Sequence, residues 1–317
     1  MAKKFNISVE EVNQKIKNDC DKFIYKSEQY YHKQLSNVVE KVKNEKNIKF
    51  ILLAGPSSAG KTTTSALLSN MLTKANRRCK VVSLDDFFLE RSETPLLPNG
   101  EKDYDSINSI DWNLFEQKIT ELLKNKKSIL PIFDFKEGIK KYPAEYTTLE
   151  DDELLIFEGL HALNPMLDRF FPDNTQIKIF LNNETSYTSQ GATIISNIEL
   201  RLVRRLIRDE YKRGYPPEDT MQHWKNVRHA EETFIIPFKD NANIIINTSF
   251  FYEAGIYSYI LKNMKFKDDY LNNIKQCFFN ILPISPSKIP NDSLLFEFIV
   301  RGEDYVKSPK IVKKEEK

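Results

Sequence analysis

The 317-residue sequence has few cysteines, no long apolar run and almost no excess of one charge. Its three cysteines, Cys20, Cys79 and Cys277, lie far apart, which excludes the close pairs of a disulfide framework or a zinc site and fits a reducing cytosol. The N-terminus lacks the apolar stretch of a signal peptide, and no segment approaches about 18 uninterrupted apolar residues. We therefore expect a cytoplasmic protein that does not interact with membranes.

The charge balance also limits the partners that the chain can have. The formal net charge is +2, although 29% of the residues are charged. This balance is too even to indicate binding to nucleic acid or to an acidic membrane surface. A hydrophobic content of 40% is typical of a globular protein with a core, and the length allows one large domain or two modest ones.

Short apolar runs alternate with helical segments along most of the chain. Because buried parallel strands are continuously apolar, this alternation predicts an α/β fold, a three-layer doubly wound parallel sheet with flanking helices. The predicted buried strands span residues 49–54, 80–84, 153–158, 177–181 and 243–248, with a short strand at 128–134. The predicted helices span residues 8–45, 61–76, 111–125 and 196–213, and residues 90–110 are predicted to be a loop.

A phosphate-binding motif follows the first of these strands. Residues 55–62 read GPSSAGKT, which matches GxxxxGK[ST] between a strand and a helix. Glycines allow several N–H groups to converge on one anion, and the helix start adds partial positive charge. Lys61 is predicted to reach the terminal phosphates and the Thr62 hydroxyl to bind Mg²⁺. The predicted nucleotide contacts are Gly55, Ser57, Ser58, Ala59, Gly60, Lys61, Thr62 and Thr63.

Two acidic residues lie at predicted strand ends, where ligands of open α/β sheets bind. Asp85 is predicted to be the general base and a metal ligand, and Glu158 a magnesium ligand, directly or through water. Asp86 could replace Asp85, since neighbouring side chains of a strand point to opposite faces. Solvated acids at strand ends are the competing interpretation for both positions.

Four arginines share one face of the basic helix at 196–213, because their spacing is i, i+3, i+4 and i+7. These are Arg201, Arg204, Arg205 and Arg208, and Arg213 follows them. Arginines on a closing lid can stabilise the charge of a transferring phosphoryl group. A solvated helix face neutralised by nearby acids fits the same pattern equally well.

Together these segments resemble the uridine kinase and phosphoribulokinase family of P-loop kinases over residues 48–250. GPSSAGKTTT resembles the phosphate loop of that family, and SLDDFF and LLIFEGLHAL resemble the segments with its catalytic Asp and its metal-linked Glu, which fall on Asp85 and Glu158. LRLVRRLIRDEYKRG is similar to the lid helix, which implies catalytic roles for Arg204 and Arg208 beside Lys61.

The resemblance also implies residues that contact the phosphate acceptor. YDSINSIDW resembles the segment whose Asp holds the ribose hydroxyls, which falls on Asp105, and PIFDFKEG resembles the base-contacting strand and loop, which implies Phe133. Arg201 and Arg213 are the further implied substrate residues. In uridine and cytidine kinases a Tyr usually begins this strand and a His reads the pyrimidine, whereas here Phe133 and Gly138 occupy these positions. Losing a base-reading donor weakens discrimination between bases.

The resemblance therefore implies a phosphotransferase that uses ATP and Mg²⁺ and acts on a small hydroxyl compound, with a nucleoside such as uridine or cytidine expected first. If the protein is an enzyme, the alternative is a kinase of another small alcohol or of a sugar phosphate. If it is not an enzyme, the alternative is a regulatory protein that binds a nucleotide without turnover. A GTPase is disfavoured because the sequence has no NKxD signature.

The same resemblance divides the chain into an N-terminal helical extension at 1–47, a kinase domain at 48–250 with its lid at about 196–236, a helical C-terminal extension at 251–306 and a disordered tail at 307–317. IPNDSLLFEFI resembles the tail of a bacterial nucleoside kinase-like subgroup whose kinase follows domains similar to threonyl-tRNA synthetase. We expect those domains to be absent from this chain. The family resemblance favours a homo-oligomer. His161 is expected to pack or to begin a helix rather than to touch substrate.

Overall fold

The computed structural model describes residues 5–301 and Tyr305, so the predicted tail at 307–317 lies outside the described residues. The helices of this part are α1 Val9–Asn44, α2 Lys61–Lys74, α3 Trp112–Asn125, α4 Asn197–Arg208, α5 Pro217–Phe234, α6 Glu253–Leu261 and α7 Asp269–Phe279. The strands are β1 Phe5–Ser8, β2 Phe50–Ala54, β3 Cys79–Ser83, β4 Lys127–Ser128, β5 Ile132–Asp134, β6 Ile139–Lys141, β7 Thr147–Thr148, β8 Leu154–Glu158, β9 Gln176–Asn182, β10 Thr185–Ser189, β11 Ala192–Ile195 and β12 Ile244–Asn247.

The central sheet has five strands in the order β12-β9-β2-β8-β3, and every neighbouring pair is parallel. These are the five strands that the apolar runs predict, so the predicted doubly wound sheet is confirmed. The prediction that all five are buried was wrong for β3, which lies at the sheet edge with Val81 40% exposed. One face of the sheet packs in a core with Leu35 of α1, Leu68 of α2 and Ile256 of α6. The other face packs with Phe115 and Ile119 of α3. The three layers follow from strands that are apolar on both faces.

The predicted helix at 8–45 is present as α1. Ser8 caps it by accepting the Glu11 N–H at 3.0 Å, and it is kinked at Asp19, whose φ of −165° and ψ of 87° are not helical. Tyr31 and Leu35 of α1 are fully buried against the central sheet. The N-terminal helix and the C-terminal helices α6 and α7 therefore share one core with the strands instead of packing separately.

Two parts of the strand prediction were wrong or incomplete. The predicted strand at 128–134 is divided into β4 and β5, which pair with β7 and β6 outside the central sheet. Pro131 separates them, and proline cannot donate a ladder hydrogen bond. A three-stranded sheet in the order β1-β10-β11 was not predicted, because β1 pairs with a strand that lies far away in the sequence.

The predicted basic helix is α4 followed by one π-helical turn, Asp209–Arg213, that ends at Gly214 with a φ of +73°. Ser196 and Glu199 form a capping box at its start, in which each side chain accepts the other's backbone N–H. None of the helices within the described residues combines the length and the apolarity needed to cross a bilayer. Cys20, Cys79 and Cys277 are free thiols.

A buried carboxylate joins α1 to the C-terminal segment. Glu28 is 4% exposed, and its Oε1 accepts hydrogen bonds from the Tyr252 hydroxyl at 2.5 Å and the Ser293 hydroxyl at 2.6 Å. Burial raises the pKa of Glu28 from 4.5 to about 6. Between these values the folded protein holds a proton that the unfolded chain releases, so the free energy of unfolding falls as the pH rises.

Replacing this residue by the neutral isostere, Glu28→Gln, is expected to remove that decline. The variant should gain stability relative to the wild type by about 2 kcal/mol between about pH 4 and about pH 7.5, since one pKa unit corresponds to about 1.4 kcal/mol. Urea unfolding of both proteins across this range measures the difference. A difference that stays constant with pH would show that Glu28 titrates normally in the folded protein.

Candidate active site

The phosphate loop connects the end of β2 to the start of α2. A side chain at Gly55 would place its Cβ 2.5 Å from the Leu181 carbonyl oxygen of β9, so only glycine fits there. Gly60 precedes α2 with a φ of +86°, a left-handed conformation that favours glycine. Because glycine has no side chain, no side-chain hydrogen bond caps this end of the helix. The first N–H groups of α2 therefore have no partner within the helix, as an anion site requires.

Helix α4 lies across this loop and holds its carbonyl groups. Arg201 Nη1 donates to the Ser57 carbonyl at 3.0 Å and Arg204 Nη1 to the Ser58 carbonyl at 3.3 Å. The N–H of Ser57 donates to Glu231 Oε1 at 3.0 Å. Because both carbonyls are bound by α4, these contacts hold the loop backbone in one orientation.

Arg201 and Arg204, which are predicted to contact substrate and to act in catalysis, have buried partners in the structure. Arg201 is 2% exposed and pairs with Glu231 of α5 at 2.6 Å, and Arg204 is fully buried and pairs with Glu253 of α6 at 2.7 Å. Arg204 also donates to the Thr248 carbonyl at 2.7 Å. A buried guanidinium needs such partners, which leaves neither group free for phosphate or substrate in this arrangement. Their contacts are those of loop-positioning residues.

The other arginines of the lid gather around one carboxylate. Arg205, Arg208 and Arg213 each lie 3.2–3.3 Å from a carboxylate oxygen of the buried Asp209. Burial lowers the pKa of Arg208 to about 10, and the positive charge of Arg213 contributes to this shift. Three guanidinium groups on one carboxylate leave an excess of positive charge, which is suited to an anion.

Arg205, predicted as one of the lid arginines but not as a specific site residue, contacts the phosphate loop. Its Nη1 donates to the Ser57 hydroxyl in the phosphate loop at 2.8 Å. It also counteracts the rise in the pKa of Asp105. Helical spacing shows which residues share a face, but the contact partner of each one depends on the neighbouring helices.

The predicted acids meet at the edge of the sheet beside the loop. In the strand register Glu158 lies opposite both Leu53 of β2 and Ser83 of β3, so three strand ends lie side by side. Glu158 is 5% exposed and accepts the Ser83 hydroxyl at 3.1 Å. Burial and the charge of Asp85 raise the pKa of Glu158 to about 7. Burial likewise raises the pKa of Asp85, and Lys61 opposes that rise.

The neighbouring carboxylate of Asp86 has a different partner. Its Oδ1 accepts the Phe133 N–H at 3.0 Å, which joins it to the hairpin of β5 and β6. Asp85 instead lies in the electrostatic environment of Lys61 and Arg213. This arrangement favours Asp85 over Asp86 as the residue that faces the loop.

The donor set at this edge fits a magnesium ion. Asp85 and Glu158 repel one another, which is part of the reason that the pKa of Glu158 rises, and a divalent cation would relieve that repulsion. Thr62 is exposed at the start of α2, near the loop. Residues 5–301 hold no group of three or more His, Cys, Asp and Glu side chains suited to a metal. Mg²⁺ does not need one, since it usually takes one or two carboxylates with phosphates and water.

Asp105, the predicted ribose contact, lies within electrostatic reach of Arg205 and Glu231. Burial raises its pKa to about 6, against the influence of Arg205. Its backbone oxygen is hydrogen-bonded to His161 Nε2 at 3.0 Å. His161 is 2% exposed and burial lowers its pKa to about 4, so the ring is neutral at physiological pH. It supports the backbone at Asp105, as the packing interpretation expects.

The predicted base-contacting residue belongs to an aromatic cluster. The Phe133 ring lies edge-to-face with Phe88 at 5.9 Å and with Phe135 at 5.1 Å. Gly138 has a φ of +75°, and a Cβ there would lie 2.7 Å from the Cβ of Arg91. Arg91 donates to the Phe135 carbonyl at 2.8 Å. Arg91 therefore fills the space beside Gly138 where a larger residue would project.

The chain is similar to known proteins over the region that holds this site. The model of the Phosphoribulokinase / Uridine kinase family matches residues 50–250. A uridine kinase of Ureaplasma parvum is 26% identical over 204 residues, which are 64% of this chain and 89% of that protein. The uridine-cytidine kinase C of Dictyostelium discoideum is 27% identical over 227 residues, 70% of this chain and 44% of its own.

A uridine kinase of Schizosaccharomyces pombe is 30% identical over 193 residues, which are 60% of this chain and 38% of that protein. The family match begins at the first residue of β2 and extends beyond β12, so it includes the whole central sheet, the phosphate loop and the lid helices. The chain therefore belongs to the phosphoribulokinase and uridine kinase family.

Proposed function

We propose that this protein is an ATP- and Mg²⁺-dependent phosphotransferase that acts on the hydroxyl group of a small molecule, with a nucleoside as the first candidate. The observation that carries the proposal is the meeting of Lys61, Asp85 and Glu158 where β2, β3 and β8 end together. Phosphoryl transfer needs a phosphate cradle, a metal-binding carboxylate and a proton acceptor at one place.

In this proposal Asp85 accepts the proton of the attacking hydroxyl, and the loop N–H groups with Lys61 hold the phosphates. Magnesium, held by Thr62, Glu158 and Asp85, would neutralise phosphate charge. The cluster of Arg205, Arg208 and Arg213 stabilises the charge that spreads over the transferred group. Arg201 and Arg204 act indirectly, by holding the loop carbonyls in place.

The residues predicted to contact the phosphate acceptor are suited to a molecule with a flat ring and hydroxyl groups. Phe133 and its aromatic neighbours offer a surface for a ring, and Asp105 offers a carboxylate for hydroxyl groups. Two relatives of this chain are a uridine kinase and a uridine-cytidine kinase, which is consistent with a nucleoside as the acceptor. Gly138 and Arg91 favour the second candidate, another small alcohol or a sugar phosphate, because the position of the base-reading His holds no side chain that could read a pyrimidine.

The proposal is tested by incubating the purified protein with ATP, Mg²⁺ and a panel of nucleosides, sugar phosphates and other small alcohols while ADP release is followed. At least one acceptor is expected to turn over, with uridine and cytidine first. Omission of Mg²⁺ is the control and should abolish turnover. Tight ATP binding without turnover of any acceptor would instead support a regulatory nucleotide-binding protein.

A further inference from the structure

A carboxylate from the C-terminal segment occupies the anion site at the start of α2. Glu297 Oε2 accepts the Thr63 N–H at 3.0 Å, although the two residues are 234 positions apart. Thr63 is the third residue of α2, and such N–H groups have no partner within the helix. In a phosphate loop these groups cradle the nucleotide phosphates. Glu297 thus uses a donor that a bound nucleotide needs.

The segment that carries Glu297 is fixed against the loop at several points. We call residues 293–300 the C-terminal plug. Its Leu294 packs so closely on Gly60 that a Cβ at Gly60 would lie 2.6 Å from Leu294 Cδ1. Its Phe298 ring lies 4.8 Å from the guanidinium of Arg204, and Lys212 donates to the Phe296 carbonyl.

The charges around Glu297 are those expected around a phosphate. Glu297 favours the protonated, positive forms of Arg208 and Lys212, so it lies within electrostatic reach of both. It also contributes to the raised pKa of Glu158. The carboxylate therefore lies between the lid cations and the magnesium-binding edge and partly neutralises the excess positive charge there.

From these contacts we infer that the C-terminal plug is an autoinhibitory element: the Glu297 carboxylate takes the place of a nucleotide phosphate, and ATP must displace it to bind. The inference rests on the nucleotide binding in the proposed function. Two negative groups cannot share the Thr63 N–H and the lid cations without repulsion. Because Lys212 lies in the π-helical turn that follows α4, displacement of the plug also releases a contact on the lid.

The test compares Glu297→Gln with the wild type. Glutamine keeps the size of the side chain and an oxygen that can accept the Thr63 N–H, but it loses the charge that competes with phosphate. ATP binding, measured by calorimetry, is expected to become about tenfold tighter, the range of a charge-assisted hydrogen bond. Asp292→Asn is the matched control, since it removes the same charge from an exposed residue next to the plug and should leave the affinity unchanged.

Hydrogen–deuterium exchange of a peptide that covers residues 293–300 provides the second measurement. ATP should accelerate exchange in this peptide of the wild-type protein, because the plug leaves the loop. Equal ATP affinity of the wild type and Glu297→Gln, or slower exchange on addition of ATP, would contradict the inference and leave the kinase proposal intact. If neither protein binds ATP, both the proposed function and the competition are wrong.

Discussion

Replacement of Asp85 by asparagine is expected to lower kcat by about 10²–10⁴-fold, the contribution typical of a general base, while ATP binding persists. Asparagine has nearly the same shape but does not take up a proton from the attacking hydroxyl. Burial raises the pKa of Asp85 although Lys61 opposes that rise, and the charge of Asp85 raises the pKa of Glu158 across the strand ends. Steady-state rates with the best acceptor, together with calorimetric ATP binding, separate the loss of chemistry from a loss of nucleotide affinity.

Asp86→Asn is the matched control for this experiment. Its carboxylate oxygen accepts the Phe133 N–H, and the amide oxygen of asparagine can accept the same hydrogen bond. We expect kcat to change by less than about tenfold, with any effect mainly on the KM of the acceptor. A large fall in kcat for Asp86→Asn with little change for Asp85→Asn would reverse the assignment of the base.

The second large effect is expected on stability. Arg204→Met leaves the Glu253 carboxylate without its partner in a fully buried position, where both groups are 0% exposed. Removing one member of a buried ion pair costs about 3–5 kcal/mol, because the remaining charge stays uncompensated. Urea unfolding should show this loss in the free energy of unfolding.

The double variant Arg204→Met with Glu253→Gln should recover a large part of the loss, since neither charge then remains buried. Arg78→Met is the control, because the same substitution breaks an exposed pair with Asp152 that contributes little to stability. If Arg204→Met alone were as stable as the wild type, the pair would not stabilise the fold, and Arg204 would be free for the catalytic role that the family resemblance implies.

Local sequence was sufficient to predict the strands of the sheet and the positions of the phosphate loop and the two acidic residues along it. Residues 50–54 are continuously apolar, and the motif at 55–62 follows directly, so strand, loop and helix could be placed together. Asp85 and Glu158 follow two further apolar runs. Because parallel strands end at the same edge, their proximity follows from topology alone. These features depend on residues close together in the sequence.

The partners of the lid arginines could not be predicted in the same way. Helical spacing places Arg201, Arg204 and Arg205 on one face, but it does not show which carboxylate each one meets. Glu231 and Glu253 lie 30 and 49 positions from their arginines, on different helices. The predicted catalytic role of Arg204 was based on the family pattern, and the structure gives this residue buried partners instead.

The sequence by itself determined a P-loop kinase fold with its phosphate loop and strand-end acids, because apolar periodicity and turn chemistry are local. Only the tertiary structure decided that Arg205 contacts the loop, that Arg91 lies against Gly138, and that Glu297 accepts the Thr63 N–H. Each of these contacts joins residues distant in the chain, and their choice depends on how the helices and loops pack around the sheet.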